Sequence, residues 1–233
     1  MLISFSTGLL FGLLNVLFKS PIITSLSSPL YSDIGSFLTS VGCWVMLPYI
    51  VARSKLSKTR RLAVINSILV LVGSMIGYHG GYYYGIGVYG ADSIFDALSL
   101  YDYLWFLIAC IFGAIFGFCI YPTQLAWRNK VINLNDWQQC FVFATCIAES
   151  LWWPIWYSDH SEFDFPFHLI VELSVGFLFF IISNYKHLRS TKLYLRLFIL
   201  SFLEFICILL TYICLYAILY YFGAPHPEVY LFS

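Results

Sequence analysis

The chain has 233 residues, of which 61% are apolar, 20% aromatic and only 10% charged, with Lys plus Arg and Asp plus Glu balanced at 12 each. Soluble domains carry about 25% charged residues, and a mean hydropathy of +0.83 leaves too few polar side chains to clothe a water-facing surface. The composition excludes a disordered chain, a nucleic-acid-binding domain and a soluble globule, and makes the lipid bilayer the first expected partner.

A helical span of a bilayer needs about 17 to 25 apolar residues. Seven runs approach or meet that length: Leu2 to Phe18, Gly35 to Ala52, Leu62 to Tyr82, Tyr103 to Tyr121, Trp137 to Tyr157, Phe167 to Tyr185 and Leu195 to Phe222. The expected fold class is therefore all-α, a polytopic transmembrane helix bundle of seven spans, or six if Leu2 to Phe18 is not a full span. Residues 1–233 form a single domain in this reading, with no soluble domain. The first run has no basic residue before it and no small-x-small cleavage site after it, which disfavours a signal peptide. It carries small residues at fourfold spacing instead, Ser4, Gly8 and Gly12, a pattern for close helix packing in lipid.

The second run ends in the basic stretch Arg53-Ser-Lys55-Leu-Ser-Lys58-Thr-Arg60-Arg61. Gly73, Gly77, Gly81 and Gly85 recur every fourth residue of the third, and Ala109, Gly113 and Gly117 of the fourth; both rows predict static, tight helix packing. Before the fifth run, Asn135 followed by Gln138 reads as a capping box. Basic residues cluster again from Lys186 to Arg196. The positive-inside rule places all these basic loops in the cytoplasm. The expectation is a multi-pass protein of the cell membrane, with a cytoplasmic N-terminus and an external C-terminus. Asp92, Asp96, Asp102, Asp159, Glu162 and Asp164 then face outward. The seven cysteines all fall in apolar stretches without a CxxC pair, and are read as small apolar fillers.

Ionisable residues at membrane depth are costly, and mark candidate functional sites. Glu149 stands in Ala-Glu-Ser-Leu-Trp-Trp-Pro-Ile-Trp-Tyr, where Pro154 frees a backbone carbonyl and Trp152, Trp153 and Trp156 fall on or near the glutamate's face. His168 and Glu172 are four apart on the sixth run and predict a pair. His79 lies near the outer end of the third. Glu204 lies midway along the last, with Asn15 and Asn66 as possible polar partners. These eight residues, Glu149, Trp152, Trp153, Trp156, Glu172, His168, His79 and Glu204, are the candidate solute-binding set. Most lie in the outer halves of their spans beneath a crowd of Tyr and Trp, which suggests an outward-facing acidic and aromatic chamber. Such a chamber would favour a small cationic or aromatic solute over an anion.

Three function classes follow. The first is a transport or small-solute-binding component. The second is a non-catalytic interaction protein with a membrane protein partner, such as an immunity or assembly factor. The third is a metal-dependent intramembrane hydrolase, which would need His79 or His160 to join His168 and Glu172 at one ion. No GxSxG, HExxH or phosphate-binding glycine motif with its strand–loop–helix context is present. The expectation is no catalytic residue, no cofactor, no metal and no nucleic-acid partner.

Trp44 with Pro48, Ala52 and Arg53, then Gly77-Tyr78 and the tyrosines after it, Trp105, Gly113, Phe116-Gly117, Arg128 and Glu149 form a sparse pattern. With these residues the run from Trp44 to Trp153, about half of the chain, resembles a bacterial family of small multi-pass membrane proteins of unknown function. The resemblance implies a polytopic inner-membrane protein and carries no activity with it.

Overall fold

The computed structural model describes residues 1–19, 38, 40–81, 100–121, 124–127, 130–133, 135–156, 167–185 and 188–221. Seven long helices fill these segments, one for each apolar run: α1 (Leu2–Lys19), α2 (Val41–Arg53), α3 (Arg60–Gly80), α4 (Leu100–Ile120), then α6 (Phe141–Trp156), α7 (Phe167–Asn184) and α8 (Thr191–Tyr221). Between α4 and α6 lie a two-stranded antiparallel hairpin, β1 (Gln124–Trp127) with β2 (Lys130–Asn133), and a single turn, α5 (Asn135–Gln138). The hairpin is the one departure from helix-only secondary structure among the described residues.

Of the seven expected spans, three are long and apolar enough to cross a membrane: Arg60–Gly80, Tyr103–Ile120 and Thr191–Ile218. The apolar stretches of α1, α6 and α7 are shorter, and α2 has 13 residues, about 20 Å of helix. The outer surface is nonetheless apolar on every long helix. Leu10, Leu14, Ile111, Ile115, Phe177, Leu178, Phe198 and Phe202 are all exposed, whereas Asn15, Asn66, Ser67, Ser74, Glu149, Glu172 and Asn184 are buried. This reverses the arrangement that water selects. Hydroxyls fold back onto their own helices, as Ser74 donates to Val70 O, Ser150 to Cys146 O and Ser201 to Leu197 O, each at 2.8 Å. Each of these buried hydroxyls is thereby paired within its own helix.

The expected glycine packing is present. A β-carbon on Gly8 would lie 2.0 Å from Val70 O and one on Gly12 2.1 Å from Ser74 O. Reciprocally, Gly73 would meet Phe5 O at 2.5 Å and Gly77 Leu9 O at 2.2 Å. The backbones of α1 and α3 thus touch without intervening side chains. On the other flank of α3, Gly113 and Gly117 of α4 press on Ile68 and Val64. Apolar clusters then join α2, α3, α4 and α6 around Tyr49, Phe116 and Val142, and α6, α7 and α8 around Phe180 and Leu197.

One end of the bundle is tied by polar bonds. Arg53 at the end of α2 donates to Gln138 Oε1 at 3.0 Å. The Gln138 amide donates to Cys119 O in the last turn of α4 and to Tyr121 O just beyond it, and the Tyr121 hydroxyl donates to Lys58 O. Asn184 donates to Gln139 O at 3.2 Å. Arg60 stacks on Phe118 and Arg196 on Trp137. Gln138 therefore does not complete the expected capping box: its amide is spent on the ends of two other helices. A groove of about 380 Å³ opens at this basic end beside Tyr49, Arg53 and Phe179.

Candidate functional site

The acidic residues meet at the start of α2. Ser40 caps this helix, its hydroxyl accepting from Cys43 N at 3.3 Å. That satisfies one of the first-turn N–H groups that a helix leaves unpaired. The next is taken from 107 residues away, where Gly42 N donates to Glu149 Oε2 at 3.0 Å. Glu149 sits in the middle of α6, so its carboxylate reaches the positive end of the α2 dipole, a favourable place for an anion. Gly42 lies 11 residues from Arg53, about 17 Å along the helix from the basic end.

Glu172, from α7, converges on the same glycine. Its side chain is fully buried (0% exposed), and a β-carbon on Gly42 would lie 2.1 Å from its Oε1. The same β-carbon would come 3.0 Å from Cys146 Sγ, and one on Gly176 would come 2.6 Å from that sulfur. The thiol thus fills a slot between two glycines. The Glu149 carboxyl, with the thiols of Cys43 and Cys146, faces Glu172 closely enough to interact electrostatically. The Gly42 N–H and the Cys146 thiol are donors beside Glu172, yet neither Glu172 oxygen makes a hydrogen bond of good geometry among the described residues.

The other candidates are placed elsewhere. Trp152 turns to α8, stacking on Tyr212 at 5.3 Å and 15° and lying 6.5 Å from Phe205. Its helical spacing placed it on or near the Glu149 face, and its stacking contacts lie in the α6–α8 seam. Glu204 is joined by Thr145, whose hydroxyl donates to its Oε2. The expected asparagine partners go to backbone carbonyls instead, Asn15 to Leu38 O and Asn66 to Leu56 O. His79 is buried against Tyr78 and Phe106, at 5.3 and 5.7 Å. The backbones at Trp153, Trp156 and His168 are helical, but their side chains lie outside the described residues, so the expected His168–Glu172 pair and the tryptophan face fall there too. His160, Asp92, Asp96, Asp159, Glu162, Asp164 and the tyrosines from Tyr82 to Tyr89 are also outside the described residues; Tyr101 and Asp102 are helical, with their side chains outside them. Among the described residues, no three His, Cys, Asp or Glu side chains are grouped to hold a metal ion. All seven cysteines are free thiols, with Cys43, Cys140 and Cys146 buried.

Sequence reasoning marked Glu149 and Glu172 separately, by their cost in lipid. It missed Gly42 and Cys146. The fourfold relation between Glu172 and Gly176 hinted that this face of α7 meets a close neighbour, but nothing in the spacing identified α2 as the place where the two glutamates meet.

The chain matches the model of a family described as "Family of unknown function (DUF6518)" over residues 22–218, and it belongs to that family. The match reaches well past the Trp44 to Trp153 run and takes in Glu172 and most of α8. No curated protein and no solved structure matches the chain.

Proposed function

We propose that this member of the DUF6518 family is a multi-pass cell-membrane component that transports or binds a small cationic or aromatic solute, with Glu149 and Glu172 as its acidic centre. One observation carries the reading: two carboxyl groups from different helices converge on a helix start inside the bundle, and one of them makes no hydrogen bond of good geometry among the described residues. A bundle that needed only adhesion between helices gains nothing from that arrangement, since burying a carboxyl group without a partner costs stability. Positive-inside orientation assigns the end holding Arg53, Arg60 and Arg196 to the cytoplasm. The acid pair, some 17 Å along α2 from that end, then belongs to the outer half, with the N-terminus inside and the C-terminus outside. In this reading His168, Trp153 and Trp156 are the further solute contacts. Trp152, Glu204 and His79 hold the helices around them.

The test is thermal stability of the purified protein with primary, quaternary and aromatic amines. Stabilisation by one class of amine, absent in the isosteric Glu172→Gln variant, is the expected result. A wild-type protein indifferent to every amine would overturn the reading.

A further inference from the structure

We infer that Glu172 and Glu149 hold a single proton between them, with Glu172 as the donor. Two carboxylates are acceptors only. As a carboxylate, Glu172 makes no hydrogen bond of good geometry among the described residues: the Gly42 N–H beside it is given to Glu149 and the Cys146 thiol is a weak donor, although Glu172 is fully buried and directed at the Gly42–Glu149 contact. One proton on Glu172 turns it into a donor to the neighbouring Glu149 carboxylate. It also cancels the repulsion between two adjacent buried charges, the arrangement by which paired carboxyls share a proton. The asymmetry is set by α2. The Gly42 N–H bonds Glu149 at 3.0 Å, at the positive end of the helix where an anion is well placed, whereas neither Glu172 oxygen completes a hydrogen bond of good geometry among the described residues.

The other titratable groups facing the pair are the Cys43 thiol from α2 and the Cys146 thiol from α6. On α7, His168 stands one turn before Glu172, its side chain outside the described residues. A hard metal cation fits poorly, because it takes about six or more oxygen ligands, and among the described residues no three His, Cys, Asp or Glu side chains are grouped to hold a metal ion. The use of this proton, exchange against a cationic solute that brings its own N–H donors, rests on the transport reading; its presence does not.

The test is infrared spectroscopy of the purified protein at neutral pH, reading the carbonyl stretch of a protonated carboxyl group. Glu204 is a second buried carboxyl, so every comparison is made in a Glu204→Gln background. That background should retain the band, Glu172→Gln should abolish it, and Glu149→Gln should shift it without abolishing it. A band absent from the background, or unchanged by Glu172→Gln, would overturn the inference, as would loss of the band on adding sodium chloride in place of choline chloride. Amine-induced stabilisation is measured separately, so a failed transport reading leaves the band intact and a failed proton inference leaves the stabilisation intact.

Discussion

Glu149 accepts the backbone N–H of Gly42 at 3.0 Å, so a side chain from the middle of α6 closes the first turn of α2. That bond makes the acidic centre a structural joint as well as a chemical one. Its two roles respond differently to substitution.

Glu149→Ala leaves the Gly42 N–H buried without an acceptor and should cost about 1–3 kcal/mol. Glu149→Gln keeps a carbonyl oxygen in the same place and should recover most of that loss. Unfolding midpoints in one detergent compare the two; equal losses would remove the joint from the account.

Gly42→Ala drives a β-carbon into Glu172 and should destabilise by about 1–3 kcal/mol, the usual range for overpacking. Gly81→Ala is the control, since its β-carbon would meet only Leu13 and Val16 side chains at 3.2 to 3.3 Å. In a Glu172→Ala background the Gly42→Ala cost should shrink, and a double-mutant cycle measures that coupling.

Gln138→Ala removes an acceptor from Arg53 and a donor from the Cys119 and Tyr121 carbonyls. The loss should be about 1–3 kcal/mol. It should be accompanied by faster proteolysis at the basic end, where α2, α4 and α6 are held together.

Lys55 is exposed in the loop between α2 and α3. A cysteine there should react with a membrane-impermeant maleimide only after the cytoplasmic face is opened, as the orientation requires. Ser57 suits this test poorly, because it is buried and donates to Val51 O. Labelling of Lys55→Cys in intact cells would invert the proposed topology.

Much of the fold was legible because run length and small-residue spacing are local properties. Seven apolar runs became seven helices, and the rows at Ser4, Gly8 and Gly12 and at Gly73 and Gly77 became a backbone contact. The site was legible only as isolated costs: a glutamate in an apolar run announces that it needs surroundings, not which. The fourfold rule offered His168 to Glu172 and three tryptophans to Glu149, and the side chains of His168, Trp153 and Trp156 lie outside the described residues. Tertiary packing brought the two glutamates to a glycine on α2 and stacked Trp152 on α8. Gln138 misled for the same reason, since its local partner was outcompeted by carbonyls from other helices.

The contact between α1 and α3 acts as a vernier. Carbonyl oxygens of one helix sit where β-carbons of the other would be, at Gly8 and Gly12 against Val70 and Ser74 and at Gly73 and Gly77 against Phe5 and Leu9. A slide of one residue would bring side chains such as Leu9 or Ser74 into those gaps. The next position with glycine opposite carbonyl is four residues away, about 6 Å of travel. The pair is therefore indexed rather than sliding: travel of α1 along α3 is blocked short of that step.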